Sequence, residues 1–252
     1  MSRYSSLFVV SALVIALLSG CQSNVKDTQV RTQQDEITSG AALEQGQPQS
    51  NSSDSKEEAP VSEREETFFL NDQLGWKATY SFYGMHREDM VLSKTVDGGS
   101  TWLEIARSDN ADSVLPGGVK SGIVFLNESR GWITTNAPWD GTVGLFITND
   151  GGQSWKEQAL EVPADFEQSQ LFVYPPLFLS TEEGILVTKP ESESSLIYLT
   201  VDGGNHWEPI ANEKEGMQHG ISWSLAEDGI YTIGKDATWS LNTSGSGVWS
   251  KN

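Results

Sequence analysis

Three short segments carry the residue types from which hydrolytic or binding chemistry could be built. They are Thr95-Val96-Asp97-Gly98-Gly99-Ser100-Thr101-Trp102, Thr148-Asn149-Asp150-Gly151-Gly152-Gln153-Ser154-Trp155 and Thr200-Val201-Asp202-Gly203-Gly204-Asn205-His206-Trp207. Asp97, Asp150 and Asp202 would be candidates for a glycoside-cleaving acid–base pair if two of them faced each other across a bond. Their setting argues for scaffold instead. Asp-Gly is a strong hairpin signal, because glycine supplies the positive φ of a tight turn. An Asp or Thr in such a turn accepts hydrogen bonds from nearby backbone N–H groups. Thr95, Gly99 and Trp102, with Thr148, Gly152 and Trp155 and with Thr200, Gly204 and Trp207, are read in the same way. Other chemistry is sparse. His86, His206 and His219 are scattered, and no Gly-x-Ser-x-Gly, His-Glu-x-x-His or phosphate-cradling glycine loop occurs. No cofactor and no metal centre is expected.

The elements that must hold these turns follow from the spacing. The three segments start 53 and 52 residues apart. A second element precedes each: Phe69 to Gly75-Trp76, Phe125 to Gly131-Trp132, Phe178 to Gly184-Ile185 and, more loosely, Trp223 to Gly229-Ile230. A fourth turn ends in register at Trp249, with Ser244 where Asp150 stands in the second unit. Short β-rich runs such as Leu145-Phe146-Ile147 lead into the turns. A unit of three or four such strands cannot bury both faces alone, and stacking on neighbours completes the core. The closing tryptophans are expected to wedge against the next sheet.

The segments resemble the Asp-box pattern, Ser/Thr-x-Asp-x-Gly-x-Thr/Ser-Trp, of sialidase-type and related propellers; the third has His206 in the Thr/Ser place. The Gly-Trp element adds a closer resemblance to the repeat family of photosystem II assembly and stability factors. The resemblance implies an all-β fold, a β-propeller of about four Asp-box blades in a small or incomplete ring, over residues 67–252. Residues 67–71, or those just upstream, are expected to close the ring against the last blade, since an open ring exposes two strand edges. The sialidase likeness does not extend to activity. Residues 67–252 contain only Arg87, Arg107 and Arg130, too few placed as an arginine triad, and no Arg-Ile-Pro precedes the first box.

The chain begins with an address. Arg3 precedes an apolar run, Leu7 to Leu18, that is too short to span a bilayer and reads as a signal peptide over residues 1–20. Leu18-Ser19-Gly20-Cys21 resembles the bacterial lipobox, which implies acylation of Cys21 and attachment to the extracytoplasmic face of the cell membrane or outer membrane. Cys21 is the only cysteine of the 252 residues, so no intrachain disulfide can form. Residues 21–66 lack Trp, Phe and Tyr and are rich in Ser, Gln and acid, the composition of a disordered linker.

The formal net charge is −19, of which −14 falls on residues 67–252. Nucleic-acid binders need a basic face, so that class is excluded. The segments that interrupt the repeat are the natural contact surfaces. Aromatic and arginine side chains anchor such surfaces, which singles out Tyr83, Arg87 and Trp139 for partner binding. The expected function is a membrane-anchored, non-catalytic scaffold for a protein or glycan partner. The alternatives are a glycan hydrolase or a purely structural envelope lipoprotein.

Overall fold

The computed structural model describes residues 59–109, 113–136, 139–191, 194–244 and 247–252. The signal peptide, Cys21 and nearly all of the linker lie outside the described residues. The rest forms four antiparallel sheets. The first orders β1 (Ser62–Phe69), β2 (Gly75–Gly84), β3 (Arg87–Thr95) and β4 (Leu103–Arg107). The second orders β5 (Val119–Phe125), β6 (Gly131–Asn136), β7 (Gly144–Thr148) and β8 (Lys156–Glu157). The third orders β10 (Leu177–Phe178), β11 (Gly184–Pro190), β12 (Leu196–Thr200) and β13 (Glu208–Ala211), with β9 (Leu171–Val173) also on β11. The fourth orders β14 (Glu215–Gln218), β15 (Ile221–Leu225), β16 (Ile230–Gly234), β17 (Thr238–Asn242) and β18 (Trp249–Lys251). The protein is a small four-bladed β-propeller.

Each box turn is built as its residue types require. Asp97 Oδ1 accepts the Thr95 hydroxyl at 2.7 Å and the Thr101 N–H at 2.9 Å, and Thr95 Oγ1 accepts the Gly99 N–H at 3.0 Å. The pattern repeats around Asp150 and Asp202. The second glycine of a box is also a point of contact between blades. A Cβ on Gly204, whose φ is +78°, would sit 2.4 Å from the Trp132 ring of the preceding blade. Only glycine allows that approach in that conformation.

The blades are joined by three apolar clusters. Trp76 and Leu92 of the first sheet meet Phe125 and Ile133 of the second. Trp132 and Leu145 meet Leu186 and Tyr198 of the third. Ile185 and Ile197 meet Trp223 and Tyr231 of the fourth. The tryptophans of the Gly-Trp elements are the deepest wedges, and the box tryptophans Trp155 and Trp207 join the same clusters between blades. Trp76 is fully buried, stacks on Phe125 with centroids 3.6 Å apart and donates from Nε1 to Gly151 O at 2.9 Å. Trp102, Trp155 and Trp207 instead pack edge-on against Phe69, Phe125 and Phe178 of their own sheets at 6.0, 6.1 and 6.0 Å.

The fourth sheet is inverted. In the first three, the box turn shares an end with the turn after the sheet's inner strand: the N–H groups of Gly98, Gly151 and Gly203 donate to Gln73, Ser129 and Glu182 carbonyls. In the fourth, Lys235 of the β16–β17 turn pairs with Glu183 at that end of the third sheet. Thr243, in the box place, lies at the other end, where its carbonyl accepts from Lys189 Nζ at 3.1 Å and the Tyr174 hydroxyl at 2.9 Å. The cause is β14, an extra strand that adds one reversal of direction before β15. The ring is therefore incomplete. Among the described residues no apolar cluster joins the fourth sheet to the first, and the outward faces are polar (Lys77, Thr79 and Ser81 on β2; Ser222, Ser224 and Thr232 on β15 and β16). Polar outer faces are what terminal units of a stacked array require. Residues 67–69 and those just upstream form β1, which pairs with β2, from Ser62 with Phe82 to Phe69 with Gly75, and not with the last blade. The strand begins at Ser62, so the first blade takes in residues that composition placed in the linker.

Candidate functional site

The inner strands β1, β5 and β10 face the reversed edge of the fourth blade across a central cleft of about 790 Å³. Phe68, Ile123, Phe125, Leu177 and Phe178 make an apolar wall, closed on the far side by Trp239, Val248 and Trp249. Inversion is what brings Trp249 here, where its Nε1 donates to Pro175 O at 2.8 Å. One end of the cleft is charged, lined by Arg64, Glu65 and Glu66.

That end rests on a buried ionic cluster. Glu66 accepts the Tyr80 hydroxyl at 2.9 Å and the Ile123 N–H at 3.3 Å. The Arg64 guanidinium lies 3.6 Å above the Tyr80 ring, 3.5 Å from the Glu88 carboxylate, and donates to Lys120 O. Glu88 and Lys120 are 6% and 2% exposed, and two bonds tie them: Lys120 N–H to Glu88 Oε1 at 2.8 Å and Lys120 Nζ to Glu88 O at 2.6 Å. Burial raises the Glu66 carboxyl above its usual range despite the bonds from Tyr80 and Ile123. Burial raises the Tyr80 phenol well above the usual range, and the Glu66 charge adds to this. Burial lowers Lys120 to about 8, against the pull of Glu88 and Asp89.

Lys120 makes stability depend on pH in a defined window. Unfolded lysine titrates at 10.5 and the folded group at about 8, so between these values the unfolded chain binds more protons and stability rises with pH. Below about 8 the cost of burying the ammonium is constant. Across this window the wild type should gain about 3 kcal/mol relative to Lys120→Met. Urea titrations of both proteins at steps of pH read this difference; parallel curves would refute it.

The box carboxylates are structural turns, with pKa values set by their own hydrogen bonds. Asp97 is held down at about 2, chiefly by the Thr101 hydroxyl and N–H and then by Thr95. Burial works to raise Asp150 and Asp202, but bonds from Ser154 and Thr148, and from His206 and Thr200, outweigh it and leave both lowered. Of the surface residues, Arg87 lies 4.5 Å above the Tyr83 ring at the β2–β3 tip, and Trp139 is 64% exposed. None of the three lines the cleft. Arg64, Glu66, Glu88 and Lys120 were missed by sequence reasoning. One signal was available: aligning Phe69 with Phe125 puts the counterpart of β5 over the residues before Phe69.

Fold and cleft together define an Asp-box β-propeller with one charged and one apolar end to its central cleft. No protein-family model matches the chain, and no curated protein matches it. Among solved structures it is similar to one described as YCF48 bound to D1 peptide, at 19% identity and a TM-score of 0.34 over 77% of this chain and 60% of that one. It is also similar to YCF48 from Cyanidioschyzon merolae, at 17% identity and a TM-score of 0.32 over 73% and 54%. The chain thus aligns with less than two thirds of the length of either.

Proposed function

We propose that this chain is a lipid-anchored, extracytoplasmic propeller that holds an extended segment of a partner protein in its central cleft and performs no chemistry. The observation that carries the reading is the cleft itself. Its volume of about 790 Å³ lies in the range of ligand sites, and its apolar wall ends in fixed charges. Apolar side chains of a peptide would fill the wall, and a polar group would meet Arg64 or Glu66. Acylation at Cys21 would keep the propeller at the membrane, with the linker as its reach.

Glu66 is the one feature that favours the hydrolase reading, as a carboxyl with a raised pKa on a central cleft. Its partner speaks against it. Tyr80 is 1% exposed and its phenol is shifted away from ionisation, so it is not set up to act as a nucleophile beside Glu66.

The test places a photo-crosslinking residue at Val248, which is 67% exposed at the cleft mouth. Irradiation of intact membranes should yield one stoichiometric protein adduct, and Glu66→Arg should reduce it about tenfold, or about 1.4 kcal/mol. In Cys21→Ser the protein should leave the membrane fraction. Absence of any protein adduct would overturn the scaffold; a mutant still firmly membrane-bound would overturn the anchor.

A further inference from the structure

We propose that His206 and His219 are the imidazole ligands of a surface site for a borderline divalent cation such as Zn²⁺, with Glu208 as carboxylate ligand. The two histidines are distant from each other in the repeat frame. The inversion of the fourth sheet brings them together, because the added strand β14 runs back to the box end of the third blade and turns there at His219-Gly220. That turn has φ of +52° and +76°, a two-residue turn of the I′ kind in which Asn-Gly is the usual pair. Asp202, His206, Glu208 and His219 then line one hollow of about 140 Å³.

His206 is the departure from the box pattern, and its geometry tells what the departure adds. Thr101 Oγ1 donates to Asp97 Oδ2 at 2.6 Å, and the Ser154 hydroxyl does the same to Asp150. His206 Nδ1 takes that place, 2.6 Å from Asp202 Oδ2. The carboxylate can only accept, so in the neutral ring the proton sits on Nδ1 and Nε2 keeps its lone pair. A hydroxyl satisfies the turn equally well in the other two boxes. The imidazole contributes one thing more, a side chain 91% exposed whose free nitrogen is backed by a carboxylate. A carboxylate behind a histidine fixes its tautomer and raises its basicity as a metal ligand.

His219 presents the same atom. The Gln218 amide nitrogen, which can only donate, lies 3.4 Å from His219 Nε2 and 2.9 Å from Glu208 Oε2. His219 Nε2 and Glu208 Oε2 are themselves 4.0 Å apart. Among the described residues no three such side chains already stand in ligand geometry. His219 and Glu208 are 46% and 62% exposed, which leaves their side chains room to turn toward His206 across the hollow. Two imidazoles and a carboxylate suit Zn²⁺ better than Ca²⁺ or Mg²⁺, which take oxygen ligands.

The experiment is calorimetric titration of Zn²⁺ into the full-length chain, with Cys21→Ser in every variant so that no thiol competes. One equivalent should bind at pH 7.5, more weakly at pH 6, where protons compete for the imidazoles. His206→Thr restores the hydroxyl of the other boxes, so it should keep the wild-type Tm in chelator while weakening Zn²⁺ about tenfold or more. His219→Ala should weaken it by a similar factor. Zn²⁺ affinity unchanged in either variant, or the absence of Zn²⁺ binding in the parent, would overturn the proposal.

Discussion

Trp76→Ala is expected to lower the free energy of unfolding by about 4 kcal/mol, the upper part of the range for a buried Trp truncated to Ala. Three losses coincide at this position. The ring is fully buried, so its whole apolar area leaves the core. It stacks on Phe125 of the next sheet with an interplanar angle of 5°, so the neighbouring blade loses its main contact. Its Nε1 donates to Gly151 O, and the mutant leaves that carbonyl without its bond. The close packing around Ala78, Leu92 and Phe125 gives the cavity little room to collapse. Trp139→Ala is the control. Its ring is 64% exposed, and the change should stay within about 0.5 kcal/mol. Urea denaturation followed by circular dichroism measures both. A loss below about 1 kcal/mol at Trp76 would mean that the first blade is not stacked on the second through this ring.

Glu88→Ala should cost about 3–5 kcal/mol, because it leaves a buried cation uncompensated. Lys120 is 2% exposed, and its ammonium donates to the Glu88 carbonyl within reach of the Arg64, Glu88 and Asp89 charges. Among the carboxylates acting on it, the Glu88 charge pulls most strongly, ahead of Asp89, and the Glu88 carboxylate also accepts the Lys120 backbone N–H. Arg64→Ala should cost less, since the Arg64 side chain is 42% exposed and its removal leaves the Glu88 carboxylate still bonded to the Lys120 backbone N–H. The pH dependence should move as well. The attraction of Glu88 works to raise the Lys120 pKa, so without it the folded value falls further and the rise in stability starts at lower pH. Denaturant titrations of the two variants from neutral pH to pH 10 read both effects. Equal losses for Glu88→Ala and Arg64→Ala would show that no buried charge had been left unpaired.

These two residues mark the limits of what is legible in the chain. Trp76 is announced by the Gly-Trp element and recurs as Trp132, so its importance can be read from the repeat even though its partner cannot. Its counterpart in the third unit is Ile185, which is also fully buried. Lys120 and Glu88 have no such signal. A lysine and a glutamate 32 positions apart look like ordinary surface residues until β3 and β5 are placed side by side. Arg64 and Glu66 were further masked, because a strand of sequence Ser-Glu-Arg-Glu-Glu-Thr-Phe-Phe has the composition of a linker. Its order comes from pairing along the whole of β2, a backbone effect to which composition is blind.

The sequence by itself determined the all-β class, the number of repeat units, the box turns and the Phe–Gly frame that sets strand positions. These are local properties: a turn needs particular φ angles and hydrogen-bonding side chains within eight residues, and those leave a readable pattern. Only the tertiary structure decided which tryptophan wedges between blades, that the fourth blade stands inverted, and that Trp249 and His219 therefore arrive at the cleft and at the third box. The physical reason is that direction along the chain is set by counting reversals. One extra strand of four residues, β14, with no pattern of its own, turns every later side chain to the opposite end.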